Sequence, residues 1–393
     1  MSQDIPAITR TEDLARFCEV AKTAPYVTVD TEFLRERTYW SKLCLIQLAI
    51  PPASTGKAPG GDAVLVDPLA EGLSLEPLYD LFRHTGTVKV FHAARQDLEI
   101  FFHDAQLFPT PLFDTQVAAM VCGFGEQVGY ETLVRKIAKA DLDKSSRFTD
   151  WSRRPLSEAQ SAYALADVTH LRMIYEFLAA ELVKTGREAW LAEEIAVLED
   201  PETYITRPAE AWQKVRTRTN SPRFLAILRE LARFRESYAQ DRDIPRSRVY
   251  KDDAMIELAS TKPTSEADLG KSRLLLREAR RGDIANGILA AVKAGMEAKD
   301  LPQVKADEPG RPGNAALSDL LRVLLKAKAD AAGVAPKLIA SASELDAIAT
   351  GHRDVPALQG WRAEVFGTDA LRLAGGEIAL SAQNGAVKVV PAR

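Results

Sequence analysis

Cysteine is scarce in this chain of 393 residues, with Cys18, Cys44 and Cys122 its three examples. They are odd in number, widely spaced and include no CxxC pair, which excludes a disulfide framework and a structural zinc cluster. A reducing compartment is expected. Long apolar runs are missing too: no segment approaches the ~20 residues that span a bilayer. The first residues, MSQDIPAITR, lack the charged-then-apolar pattern of a leader. A cytoplasmic protein with no membrane partner is the expectation. Neither sign of charge dominates, since 51 Lys+Arg against 55 Asp+Glu leave a net charge of -4. That excludes a chain coated in phosphate-binding groups, although affinity for a polyanion needs only a local basic surface.

What is present is globular in kind, 46% hydrophobic and 27% charged with modest Gly and Pro. The length suggests two or three domains. Short apolar or β-branched runs at 26–32 (YVTVDTE), 43–50, 63–67 and 88–92 predict strands. Helical patterns follow at about 75–84, 95–103, 115–122, 130–140 and 157–184, which together predict a mixed α/β domain. Ser157 and Gln160 have capping-box spacing at the start of the last helix, fixing its register. After about 185 no convincing strand precedes the chain's end, and helical stretches near 216–295 and 310–375 predict an all-α second half. LPQVKADEPGRPGN, residues 301–314, reads as a linker between them. The closing GGEIALSAQNGAVKVVPAR is compatible with either a hairpin or a loose tail.

The chemistry concentrates in the first half. Side chains alternate along a strand, so Thr28, Asp30 and Glu32 share one face of YVTVDTE. An isolated DxE is weak evidence, since a solvent-facing strand edge gives the same pattern. Asp97 begins the helix ARQDLEIFF, where an acid also complements the helix dipole. Tyr163 and Asp167 lie four apart, in line with Leu171, Ile174 and Leu178. A carboxylate set into an apolar stripe requires compensation, from a metal or from an Arg or Lys. Asp114 precedes a helical run and reads as an N-cap. His92 and His170 fit ordinary packing.

VDTE, then HAARQDLE, then YALAD in this order are far more specific together than singly. They resemble the DEDD exonuclease superfamily, in the branch carrying a tyrosine. DTEFLRERTYWSKLCLIQLA and WSRRPLSEAQSAYALADVTHL are similar to ribonuclease D in particular. EAWQKVRTRTNSPRFLAILRELARFRESYAQDRDIPRSRVYKDDAMIELA resembles the helical HRDC domain shared by certain helicases and ribonuclease D. The resemblance implies an N-terminal α/β ribonuclease H-like exonuclease domain, a mixed sheet with flanking helices, over 1–205. All-α helical domains follow, an HRDC-like one at 206–298 and a second, divergent one with a C-terminal tail at 299–393.

It further implies that Asp30, Glu32, Asp97 and Asp167 hold two divalent metal ions and that Tyr163 acts on the attacking water. Oxygen-only ligands suit Mg²⁺ or Mn²⁺ rather than zinc. The implied activity is 3′-to-5′ exoribonucleolysis of RNA with a free 3′ end, tRNA precursors among it, releasing 5′-mononucleotides from a monomeric enzyme. A single-stranded DNA exonuclease and a non-catalytic RNA-binding adaptor are the alternatives, and the intact acids argue against the adaptor. Arg35, Arg37 and Lys42, interleaved with Tyr39 and Trp40, together with Arg153 and Arg154, are candidate nucleic-acid contacts because they flank the acidic motifs. A solvated loop would have the same composition.

Overall fold

The computed structural model describes residues 7–52, 61–143, 146–147, 149–302 and 314–392. The sheet is built from β1 (Tyr26–Leu34), β2 (Lys42–Ala49), β3 (Ala63–Val66), β4 (Val88–Phe91) and β5 (Leu112–Asp114). Their order is β3-β2-β1-β4-β5, so the DTE strand is central. β4 lies parallel to β1, with Thr28 opposite Val90, and β5 lies parallel to β4; β3 is antiparallel to β2. The expected mixed sheet is therefore present. β2 is buried along nearly its whole length, which is why LCLIQLA reads as a continuous apolar run without alternation.

Four predicted helices are found close to their expected bounds: α2 (Glu76–Arg83), α3 (Arg95–Ala105), α4 (Thr115–Val121) and the long α6 (Glu158–Thr185). Between them a single turn, α5 (Tyr130–Leu133), continues as a π-helical turn to Ala138. An unanticipated α1 (Thr11–Ala21) buries Leu14, Phe17, Cys18 and Ala21, an i, i+3, i+4, i+7 face. β5 also went unpredicted, since three residues are too few to carry a periodicity. Both halves of the capping box form at the start of α6: Gln160 N–H donates to Ser157 Oγ, and Ser157 N–H to Gln160 Oε1.

The chain packs as two units that do not follow its sequence order. One comprises the described residues within Met1–Glu32, Cys44–Thr203 and Pro309–Arg393. Here α7 (Glu188–Leu198) receives Trp361, whose ring stacks on Trp190 at 4.7 Å while its Nε1 donates to Glu194. Arg362 completes the contact with an ion pair to the same carboxylate at 2.7 Å. The described residues 314–392 thus belong to the same unit as the sheet while keeping a hydrophobic core of their own around Leu321, Ile339, Trp361 and Phe366. The second half is helical up to the chain's end, where, of the hairpin and the loose tail left open by the sequence, the hairpin is found: β6 (Ile378–Gln383) and β7 (Ala386–Pro391) are antiparallel and turned by Asn384 and Gly385, both at positive φ. Most of the expected linker at 301–314 lies outside the described residues.

The other unit comprises the described residues within Phe33–Leu43 and Tyr204–Glu308. Its axis is α8 (Pro222–Asp241), packed on a helix at Gly282–Glu297. Gly295 sits against the α8 backbone, where a Cβ would fall 2.4 Å from the Ile227 Cα. Close helix crossing explains that glycine. Tyr250 is fully buried and donates to the Leu231 carbonyl at 2.8 Å.

Candidate metal centre

Three carboxylates converge on one point. Asp30 and Glu32, on the same face of β1, and Asp167, from α6, each offer an oxygen within 4.8 Å of the others. The strand is tied to the helix beside them, since Thr28 Oγ1 donates to the Val168 carbonyl at 2.8 Å. Tyr130 holds the same turn from another side, its hydroxyl donating to the Asp167 carbonyl at 2.6 Å. Asp97, on the first turn of α3, stands close enough to raise the pKa of Glu32 and to be raised by Asp30. It accepts a hydrogen bond from Thr31 and lies outside the tight trio.

The electrostatics are those of crowded like charges taken from water. Burial first, then the Asp167 carboxylate, pushes Asp30 well above the usual range. Glu32 is pushed up to about 9 by burial and by Asp30, Asp167 and Asp97. Burial raises Asp167 to about 7 against the opposing hydrogen bond from Tyr163 and the positive charge of Arg147. A hard cation relieves both the desolvation and the repulsion, and the donor set is all oxygen, so these residues fit a divalent metal of the Mg²⁺ or Mn²⁺ type. Burial and the neighbouring carboxylates raise Tyr163 above an ordinary phenol, so it stays protonated at neutral pH.

Residues 5–183 match the family described as 3′-5′ exonuclease, and residues 224–292 match the HRDC domain. The chain is similar to a ribonuclease D of Jannaschia sp. (strain CCS1), 63% identical over 385 residues that cover 98% of each chain. A ribonuclease D of Granulibacter bethesdensis is 48% identical over 98% of this chain and 96% of its own. This chain belongs to the ribonuclease D family. A crystal structure of Escherichia coli RNase D, an exoribonuclease involved in structured RNA processing, superposes with a TM-score of 0.81 at 28% identity, covering 95% of this chain and 98% of that one. As a ribonuclease D the chain is a metal-dependent 3′-5′ exoribonuclease, and RNA is its substrate class.

Beside the acids lies a cleft of about 270 Å³, lined by Asp30, Asp167 and Tyr163 and also by His92, Tyr130, Leu142, Arg147 and Leu171. His92 Nδ1 lies 2.9 Å from Thr115 Oγ1, and burial lowers the pKa of its imidazole. His170, half-buried on α6, does not line the cleft. Asp114 is the expected N-cap of α4, accepting from Gln116 N–H at 2.7 Å. It also accepts from Ala93 and Ala94 N–H at 3.1 and 2.8 Å, holding the β4–α3 turn in which Ala93 has a φ of 57°. One capping acid therefore sets the start of the helix that carries Asp97. Spacing along the chain announces only the local half of that arrangement.

The candidate nucleic-acid contacts separate in the structure. Arg35, Arg37 and Lys42 are exposed. Tyr39 is packed against α8, donating to the fully buried Glu236 and accepting from Gln240 at 3.1 Å, while Asp243 accepts from the Tyr39 and Trp40 amides at 2.9 and 3.0 Å. Arg153 is exposed beside Asp150, at 3.3 Å. Arg154 spends its guanidinium inside the fold, on Asp67 at 2.6 and 2.7 Å and on the Cys44 carbonyl at 2.6 Å. Arg147, Tyr130 and Thr31 were not anticipated. The i, i+4 and DxE patterns that point to acids have no counterpart for a lone arginine in a loop. Among the described residues no helix is long and apolar enough to cross a membrane, and none of the three cysteines is in a disulfide.

Proposed function

We propose that this ribonuclease trims the 3′ ends of structured RNA, tRNA precursors in particular, in the cytoplasm and as a monomer, releasing 5′-mononucleotides. The observation that carries the reading is the carboxylate trio of Asp30, Glu32 and Asp167 with a protonated tyrosine at its edge. Asp30, Glu32, Asp97 and Asp167, which repel one another at close quarters, are the residues that would hold the metal. Two Mg²⁺ or Mn²⁺ ions bound there would supply a water-derived nucleophile and offset charge on the leaving 3′ oxygen. Tyr163 is protonated and gives its one hydroxyl proton to Asp167 in the metal-free site; with an ion on that carboxylate the hydroxyl would turn to donate to and orient the attacking water, and it does not act as the base. The cleft is at the small end of ligand pockets of roughly 300–1,000 Å³, which suits one terminal nucleotide. Arg35, Arg37, Lys42 and Arg153 remain the proposed contacts for the RNA strand; Tyr39, Trp40 and Arg154 support it through the fold.

The test is incubation of the pure protein with 5′-labelled, 3′-extended tRNA and with a single-stranded DNA of matching sequence, each in Mg²⁺, Mn²⁺ or chelator. Stepwise shortening of the RNA that chelator abolishes is expected. Preferential shortening of the DNA would overturn the RNA assignment, and binding without shortening would favour an adaptor.

A further inference from the structure

We propose that His92 is a specificity-determining residue of this site, its Nε2 accepting a hydrogen bond from the 2′-hydroxyl of the terminal ribose. The inference rests on the reading of the carboxylate site as the place of hydrolysis and names the group that tells RNA from DNA there. His92 lines the cleft with Asp30, Tyr163 and Asp167. Its place in the sequence fits packing as readily as function, so its hydrogen bonds decide. Thr115 Oγ1 donates its one proton to the Phe91 carbonyl at 3.0 Å. Toward His92 Nδ1, 2.9 Å away, the same oxygen must therefore accept, which puts the ring's proton on Nδ1. Burial disfavours a second proton. Nε2 is left with a bare lone pair, and among the described residues no group donates to it.

The ring is aimed as well as polarised. Thr115 is fully buried and is no part of the cleft wall, so the Nδ1 edge faces the interior and the opposite edge, with Nε2, is the one that reaches the cleft. Tyr130 packs beside the imidazole with ring centroids 5.4 Å apart, and its own hydroxyl is tied to the Asp167 carbonyl. Asp114 pins the backbone just beyond His92 through the Ala93 and Ala94 amides. A hydroxyl donor entering the cleft thus meets a fixed, neutral acceptor. The carboxylates of Asp30 and Asp167 also accept, but an ion bound there takes their oxygens, and Glu131 is paired with Arg135 at 2.9 Å. The donors of a nucleotide differ in generality. Base amines vary with sequence and the 3′-hydroxyl is common to DNA, whereas every RNA residue carries a 2′-hydroxyl. The competing role is a purely structural one, with His92 a packed link between Thr115 and Tyr130.

Substrates and variants together separate the two roles. Full-length wild type, His92→Asn and His92→Gln are given 5′-labelled oligouridylates ending in uridine, 2′-deoxyuridine, 2′-fluorouridine or 3′-deoxyuridine, and kcat/KM for release of the last nucleotide is measured in Mn²⁺. Asn can still donate to Thr115 but is too short to place an acceptor where Nε2 lies; the longer Gln can. Wild type should favour the uridine end over both 2′-substituted ends by about tenfold, the worth of one neutral hydrogen bond. Fluorine cannot donate, so it should count as a deletion. His92→Asn should fall about tenfold on uridine and much less on 2′-deoxyuridine, so that the preference collapses, and His92→Gln should restore part of it. A loss in His92→Asn that is equal on the two ends makes His92 structural and overturns the proposal. So does a preference that His92→Asn leaves intact, or a loss confined to discrimination against the 3′-deoxy end. Wild type that shows no preference overturns it as well, whether or not the variants fold. Wild type that leaves every oligouridylate whole in Mn²⁺ defeats the hydrolytic reading and this inference with it, a result visible before any variant is made.

Discussion

At the scale of single residues, the acids are held in a state that a metal is needed to correct, and this has measurable consequences. Asp30→Asn should fold as well as wild type, since burial already favours the neutral form of that side chain, and Asp167→Asn should do nearly so. Each should lower hydrolysis by several orders of magnitude, because each removes a proposed metal ligand; near-normal turnover by well-folded Asp30→Asn would remove the metal assignment. Tyr163→Phe should be milder, about 10²- to 10³-fold, the worth of one preorganised hydrogen-bond donor. Single-turnover rates of the three variants give the ranking. The raised pKa values also dictate a pH dependence of stability. Glu32 moves from 4.5 to about 9 and Asp167 from 3.8 to about 7, so between those limits the folded state binds more protons than the unfolded. Stability of the metal-free protein must then fall as pH rises through roughly 4 to 9. Melting in chelator at pH 5.5 and pH 8.5 should show this contribution, and added Mn²⁺ should raise the melting temperature more at pH 8.5. A metal effect that is larger at pH 5.5 would contradict the crowded-carboxylate description.

At the scale of elements, the site depends on how few contacts orient three pieces of backbone. β1 places Asp30 and Glu32 by alternation alone, and α6 places Tyr163 and Asp167 by its 3.6-residue period once Ser157 and Gln160 have fixed where it begins. α3 is different, because its start follows a turn with Ala93 at positive φ that Asp114 holds from the neighbouring strand. Asp114→Ala leaves four backbone N–H groups without their acceptor. The expected cost is about 2 kcal/mol, at the upper end for a helix cap. Denaturant melts measure it, and activity should fall further than stability because Asp97 rides on that helix. An unchanged activity at reduced stability would mean that α3 is positioned by packing alone. In the helical unit, Tyr39→Phe removes the hydroxyl that donates to one oxygen of the buried Glu236, with an expected cost of about 1–3 kcal/mol. Equilibrium unfolding of the full chain reads that loss.

At the scale of the whole chain, sequence order and packing order differ. A protein cut near residue 205 keeps Asp30, Glu32, Asp97 and Asp167, yet it loses Trp361 and Arg362 from the face of α7, leaving Trp190 without its stacking partner and Glu194 without the indole N–H and guanidinium that pair it. Such a truncation should melt lower than the full chain and show a red-shifted tryptophan emission. Trp361→Ala in the full chain should cost about 3–5 kcal/mol, as deletion of a packed aromatic does. Should the truncated chain melt like the full one, residues 314–392 have no structural role in the exonuclease unit. The contribution of the helical unit to RNA affinity is accordingly better measured by replacing its exposed arginines in the intact chain.

Much of the site was legible because local geometry determined it. Period-2 alternation put Asp30 beside Glu32, period 3.6 put Tyr163 over Asp167, and Ser157 with Gln160 fixed the helix register, all within a few residues of chain. Most strands and helices of the first half followed from apolar runs and short periods, apart from β5, too short to show one, and α1. Tertiary structure alone decided that Asp97 meets the other acids, that Asp114 braces its helix, that Arg147 enters the cleft and Arg154 does not, and that Tyr39 belongs with α8. Each joins residues tens to hundreds of positions apart, and no periodicity encodes which distant surfaces bury one another. The same holds for Trp361 on α7: a single aromatic in a helical stretch shows that something will cover it, and only the folded chain shows what.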